Sequence, residues 1–142
     1  MIPHNRPTVG ENEEQALARV IDSAWLAQGR EVRALEDEIA TYLGMVSGGV
    51  LAVSSGSSAL FMSISSTDAK VVTMPNYACA SLRQAVTLAG REANYLDCIA
   101  NSANCDFVAT RRDATELSIA VSTFGLPVEV DGATGPVIDD IS

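Results

Sequence analysis

Apolar positions along the chain change period near residue 50. Before it they fall at Leu17, Val20, Ile21, Ala24 and Trp25, then at Val32, Leu35, Ile39 and Leu43. Steps of three and four put each set on one face of a helix. Thr8-Val9-Gly10-Glu11 fits a capping box for the first helix, with Gly29 placed to end it and Gly44 to end the second. After residue 50 the apolar runs shorten. Val50-Leu51-Ala52-Val53, Val71-Val72-Thr73-Met74, Ala93-Asn94-Tyr95-Leu96, Leu117-Ser118-Ile119-Ala120-Val121 and Pro136-Val137-Ile138 read as five strands. A helix opens over Ser57 to Ile64. Another spans Ser81 to Ala89, with Leu82, Ala85, Val86 and Ala89 inward and Gly90 as its stop. Ile2 to Pro7 reads as an extended arm. The pattern is weak from Cys98 to Arg112, a loop with room for one helical turn, and Thr123 to Gly135 is loop-like. Strands alternating with helices predict an α/β fold, a three-layer sandwich with a mostly parallel sheet.

Such sheets take ligands at the carboxyl ends of their strands. Ser55 to Ser58, Tyr77, Asp97, Thr123 and Asp140 all follow or close a predicted strand. Ser54-Ser55-Gly56-Ser57-Ser58 joins strand to helix by a small polar turn, the layout that makes a helix N-terminus an anion site. Ser57 and Ser58 would add hydroxyls to a phosphate cradle, although Ser55 or Ser57 equally suits a helix cap. Glu36, Asp37 and Glu38 read as a solvated face. Lys70, the single lysine, precedes a strand and so falls at the opposite end of a parallel sheet.

Composition narrows the partners. The 142 residues suffice for one domain with one core. A net charge of −9 argues against nucleic acid and acidic membrane surfaces while leaving room for one phosphorylated ligand. Cys79, Cys98 and Cys105 form no C-x-x-C pair, and His4 is the only histidine. Neither a disulfide framework nor a metal site is expected, and a reducing interior fits. No signal pattern opens the chain, and no apolar run approaches the ~20 residues of a membrane span. A cytoplasmic protein is expected.

Several pieces in order resemble the N-terminal part of the DegT/DnrJ/EryC1/StrS family of sugar aminotransferases. They are Trp25-Leu26-Ala27-Gln28-Gly29, Val32 and Glu36, Ala40-Thr41-Tyr42-Leu43-Gly44, Ser55-Gly56-Ser57-Ser58-Ala59-Leu60, Pro75-Asn76-Tyr77, Ala89-Gly90, Thr123-Phe124-Gly125-Leu126-Pro127 and Val137-Ile138-Asp139-Asp140. The resemblance implies the large domain of a type I fold that binds pyridoxal 5'-phosphate. It implies that Ser57 and Ser58 hold the cofactor phosphate and that Asp140 pairs with the pyridine nitrogen. The complete enzyme would move an amino group, typically from glutamate, to a keto sugar on a nucleotide, as a homodimer with Trp25 to Gly29 near a site at the subunit interface. Cys79 stands where many members carry the aromatic residue that stacks on the ring, and is read as a ring-face or packing residue. The connection Ser65 to Lys70 is shorter than the family's. The family's Schiff-base lysine lies beyond Asp140, so no catalytic residue is assigned among residues 1–142, which read as a truncated large domain without the small domain. Two alternatives stand beside this reading. One is a non-catalytic α/β module that binds a phosphorylated ligand or self-associates. The other is a lysine-less sugar dehydratase relative.

Overall fold

A computed structural model describes residues 6–107, 116–130 and 135–141. The chain divides into two compact units, Met1–Ala52 and Val53–Ser142.

The N-terminal unit holds helices Glu11–Asp22 (α1) and Arg30–Tyr42 (α2). α1 starts two residues later than the capping-box reading of Thr8 expects. Gly10 is the N-cap, and its amide donates to the Glu13 carboxylate at 2.7 Å. This frame places Glu11, Glu13 and Glu14 in the first turn, where the helix dipole favours negative charge. α1 also stops earlier than expected. Ala24 turns left-handed at φ 55°, and Gly29 caps the start of α2 instead of closing α1. Gly29 is needed there for space. A Cβ on it would lie 2.4 Å from Trp25 Nε1, the group that donates to the Gln28 carbonyl at 3.1 Å. Gly29→Ala is therefore expected to swing the Trp25 ring away and break that bond. A red-shifted tryptophan emission, with a stability loss of about 1 kcal/mol or less, is the outcome to look for. Gly44 ends α2 as predicted. At φ 67° it lets its own amide reach Thr41 O (3.1 Å) and the Met45 amide reach Ala40 O (2.8 Å), a Schellman closure.

Two sequence expectations change in this unit. Val50 to Val53 is not a strand, and the Ala52 amide donates instead to the Glu36 carboxylate at 2.8 Å. A strand needs a ladder neighbour, and here a side chain takes the amide that such a neighbour would use. Glu36 and Asp37 are accordingly more than a solvated face, since Asp37 also accepts from the Ser47 hydroxyl at 2.9 Å. Together they tie the segment after α2 back onto it.

The C-terminal unit carries the sheet. Its strands are Val71–Pro75 (β1), Glu92–Leu96 (β2), Leu117–Val121 (β3) and Val137–Asp140 (β4), all parallel in the order β2-β1-β3-β4. Helices Gly56–Ser65 (α3) and Ala80–Leu88 (α4) lie on one face. Side chains alternate across a strand. Val72 and Met74 of β1, with Leu117 and Ile119 of β3, therefore meet Leu60 and Ile64 of α3 and Leu82, Ala85 and Val86 of α4 in the main core. Thr73 and Ala120 project to the other face. There Cys105, Phe107 and Ala120 form a second cluster with Leu96, Val128 and Val130. On this face loop residues, not helices, make the described cover. The buried Thr73 hydroxyl is satisfied by Glu116 and Asn94, each at 3.2 Å. Gly90 closes α4 as Gly44 closes α2, with φ 67° and the Arg91 amide on Val86 O at 3.1 Å. No helix among the described residues is long and apolar enough to cross a membrane.

Candidate functional site

The polar residues singled out by the sequence gather at one end of this sheet. A helix that packs on a parallel sheet and returns to the start of the next strand runs antiparallel to the strands. α3 does so, and its N-terminus therefore lies at the carboxyl end of the sheet. α4 begins at that end too, four residues after β1 closes at Pro75. The Asn76 amide donates to Leu96 O at 2.8 Å, extending the β1–β2 ladder one step beyond the strands.

Ser55 is the N-cap of α3, and its Oγ accepts from the Ser58 amide at 3.2 Å. The Ser58 hydroxyl lies 3.0 Å from Ser55 Oγ and 3.3 Å from Ser54 Oγ, so Ser58 faces into the turn. The Ala59 amide makes the first backbone bond, to Ser55 O at 3.0 Å. The amides of Gly56 and Ser57 are left without an acceptor among the described residues. Ser57 is exposed, and a Cβ built on Gly56 would meet nothing within 4 Å. The first turn of α3 holds no acidic residue, although the chain is strongly acidic overall. Open amides, a helix dipole and no competing carboxylate are the features that favour an anion at a helix start. Of the serines, Ser55 is the cap, the Ser58 hydroxyl is taken up by Ser54 and Ser55, and Ser57 is exposed.

Cys79 is the N-cap residue of α4 and is exposed. Donors at Ser81, first its hydroxyl and then its amide, pull the Cys79 thiol below its ordinary range, against smaller opposing pushes from desolvation and from the Asp140 carboxylate. Cys79 and Asp140 are thus within electrostatic reach of each other across the end of the sheet. Ser81→Ala is expected to move the pH midpoint of Cys79 alkylation by iodoacetamide upward. A midpoint unchanged by Ser81→Ala would mean that the hydroxyl does not set the thiol. Asp140 closes β4, and its carbonyl accepts from the Ser122 amide at 3.0 Å.

Two shallow clefts meet at Cys79. One, of about 390 Å³, runs along Asn76, Cys79, Arg83 and Tyr95. The other, about 350 Å³, lies between Tyr77, Cys79 and Phe124. Neither is lined by Ser57, Ser58 or Asp140. In the sequence Phe124 stood out only within the family-like segment Thr123–Pro127, with no role of its own. It is 81% exposed and left-handed at φ 57°, followed by Gly125 at φ 74°. An L-residue held there costs about 1–2 kcal/mol. The adjacent Thr123 Oγ1 is buried with no partner among the described residues. Lys70 is exposed at the amino-terminal start of β1, the end opposite Asp140, where the sequence reading put it. Asp97 accepts from the Cys98 amide at 2.8 Å.

Chemically, the arrangement offers donors to an anion at α3 and a carboxylate at Asp140. Cys79 has no histidine beside it in the sequence to act as a base, and the described site offers binding groups in place of a nucleophile–base pair.

The model of the DegT/DnrJ/EryC1/StrS aminotransferase family matches residues 7–136. Among curated proteins, a dTDP-4-dehydro-2,3,6-trideoxy-D-glucose 4-aminotransferase of Saccharopolyspora spinosa is 29% identical over 100 residues, which are 68% of this chain and 26% of that protein. Among solved structures, an E. coli GDP-4-keto-6-deoxy-D-mannose-3-dehydratase with bound hydrated PLP aligns with a TM-score of 0.83 at 20% identity, over 98% of this chain and 40% of the other. Helicobacter pylori PseC, an aminotransferase involved in the biosynthesis of pseudoaminic acid, gives 0.83 at 19% identity, over 99% and 41%. The chain thus spans between a quarter and two fifths of the length of these relatives. The structural matches establish the shared fold.

Proposed function

The chain belongs to the DegT/DnrJ/EryC1/StrS aminotransferase family, and on that premise we propose that residues 1–142 form the cofactor-phosphate side of the large domain of a pyridoxal-phosphate enzyme. The observation that carries the reading is the N-terminus of α3, with two open amides, the exposed Ser57 hydroxyl and no acidic residue in its first turn. These donors fit a dianionic phosphate. Ser57 and the Gly56 amide would hold it from one side, with Ser58 fixed behind them by its bonds to Ser54 and Ser55. Asp140 would accept from a protonated pyridine nitrogen and keep the proton there. The bound cofactor supplies an electron sink for transfer of an amino group. Cys79 would offer the ring a small sulfur contact in place of an aromatic face.

The complete protein would act on a keto sugar carried on a nucleotide. The Saccharopolyspora relative, whose name is that of a dTDP-sugar aminotransferase, supports this. Dehydration of such a sugar is the second reading, supported by the fit to the E. coli dehydratase at TM-score 0.83. Self-association belongs to the proposal as well. Leu17, Ile21, Trp25 and Leu26 of the N-terminal unit are each more than half exposed, an apolar display that a second copy would cover in a homodimer. A cytoplasmic setting accords with three cysteines in free form.

The test is an absorption spectrum of the purified chain titrated with pyridoxal phosphate, before and after borohydride, beside Lys70→Ala. Reversible binding that weakens when Ser57 or Asp140 is replaced, with no band fixed by borohydride, is the expected result. A band that borohydride fixes and Lys70→Ala abolishes would move the anchoring lysine into this chain. Absence of any binding would favour the non-catalytic module.

A further inference from the structure

The segment after β2 contains a feature that the proposed cofactor chemistry does not use. Cys98 and Cys105 oppose each other in an antiparallel bridge, closed by the Ile99 amide donating to Asn104 O at 2.9 Å. A bond one residue inside the pair on each strand marks Cys98 and Cys105 as a non-hydrogen-bonded pair. Such residues project to the same face, with Cα atoms about 4.5 Å apart. A disulfide spans Cα separations of about 4.4–6.8 Å, so the backbone already stands at bridging distance. Both thiols are free, with Cys98 half-buried and Cys105 buried. Each sulfur makes one weak bond, Cys98 to Ala103 O at 3.5 Å and Cys105 to Leu96 O at 3.6 Å, and neither bond would hold the sulfurs apart.

We propose that Cys98 and Cys105 are a thiol–disulfide modification site, oxidised reversibly by a low-molecular-weight disulfide of the glutathione type. Cys98 is the sulfur that solvent reaches. Its thiolate attacks one sulfur of the small disulfide, forming a mixed disulfide and releasing one thiol. Cys105 Sγ then attacks Cys98 Sγ, expels the second thiol and closes the protein disulfide. The two protein thiol hydrogens end on the two released thiols, so the protein is oxidised by two electrons and the small disulfide is reduced by two. Burial, with Cys98 beside it, pushes the Cys105 thiol up to about 11, which assigns the first attack to Cys98 and makes closure faster as pH rises toward that value.

The link would fasten a short hairpin that braces the site. Asn104 lies next to Cys105 and donates from Nδ2 to the carbonyls of Leu126 and Pro127, both at 3.0 Å. Those residues follow the Thr123–Gly125 turn that presents Phe124 to the cleft. Oxidation therefore rigidifies the hairpin that supports the turn.

The test uses the full chain carrying Cys79→Ser, incubated reduced with oxidised glutathione at pH 8, quenched in acid, alkylated and digested with trypsin. Cleavage after Arg91 and Arg111 leaves Cys98 and Cys105 in one peptide, Glu92–Arg111. That peptide is expected lighter by two hydrogen atoms and free of glutathione. With Cys105→Ser added, one glutathione should remain on Cys98. With Cys98→Ser added, Cys105 should react at least about tenfold more slowly than Cys98 does. In the oxidised chain the Ile99 amide should exchange with solvent about tenfold more slowly. Glutathione on both cysteines without a crosslink would overturn the proposal. So would two unchanged thiols in the folded chain under conditions where the urea-unfolded chain reacts. Unchanged exchange at Ile99 in crosslinked chain would overturn the bracing role.

Discussion

Ile64→Ala is expected to lower the unfolding free energy by about 3–4 kcal/mol, within the range for deleting a fully buried isoleucine side chain. Ile64 has no exposed surface and sits in the main core with Val72, Met74, Leu82 and Leu117. Its neighbours belong to two sheet strands, β1 and β3, and to α4, all held by other contacts. They cannot collapse into the space, and the cavity term adds to the transfer term. A small domain has about 5–15 kcal/mol in all, so the loss is a large fraction of the total. Urea denaturation gives the number, with Leu88→Ala as control. Leu88 lies at the end of α4 and is 75% exposed, and its removal should cost less than about 0.5 kcal/mol. Similar costs at the two positions would mean that α3 is not seated on the sheet. The consequence reaches the candidate site: α3 carries the Ser55–Ser58 turn, and the core contact of Ile64 is part of what seats that helix on the sheet.

What the sequence revealed and what it hid divide along a physical line. Features made by neighbours in the chain were legible. Gly44 and Gly90 stop their helices because a left-handed residue there completes two bonds within six residues. β3 is bounded at Leu117 and Val121 as its alternation predicts, and the parallel order follows from strands alternating with helices. Features made by distant groups were not. Val50 to Val53 has the composition of a strand, but its Ala52 amide is taken by Glu36, sixteen positions away. Gly29 looks like a helix stop and acts as a start because Trp25 occupies the space a side chain would need. Thr8 and Gly10 both precede a glutamate by three positions, and only the Gly10 frame brings three acidic side chains into the first turn. The Cys98–Cys105 hairpin has no periodicity to read, being a single bridge and a turn at Asn101 with φ 63°. At the candidate site, residue types were readable and their division of labour was not. Ser55 and Ser57 have the same chemistry, and only the helix start tells the cap from the open hydroxyl.

Ser57→Asp separates a ligand-binding role from a structural one because its two effects have opposite signs. A carboxylate in the first turn of α3 adds a favourable interaction with the helix dipole, worth about 0.3–1 kcal/mol at an exposed position. Ser57 is exposed and makes no hydrogen bond to a described side chain, so the substitution removes nothing that holds the fold. Thermal stability of the chain alone is therefore expected to rise slightly. Phosphate affinity should move the other way. The new charge would stand beside the Gly56 and Ser57 amides, occupying them and repelling a dianion at contact distance. At an effective dielectric of about 20, opposition of this kind amounts to several kcal/mol before screening, and solvent exposure reduces it. A loss of at least tenfold in affinity for pyridoxal phosphate is expected, equivalent to about 1.4 kcal/mol. Ser57→Ala should lose less than Ser57→Asp, because the amides and the dipole remain. Equilibrium titration by absorption and thermal melts of the same three proteins supply both axes. A more stable Ser57→Asp that binds as tightly as the unmodified chain would remove the phosphate from the start of α3. Weaker binding with unchanged or higher stability ties it there, since loss of folding cannot then account for the lost affinity.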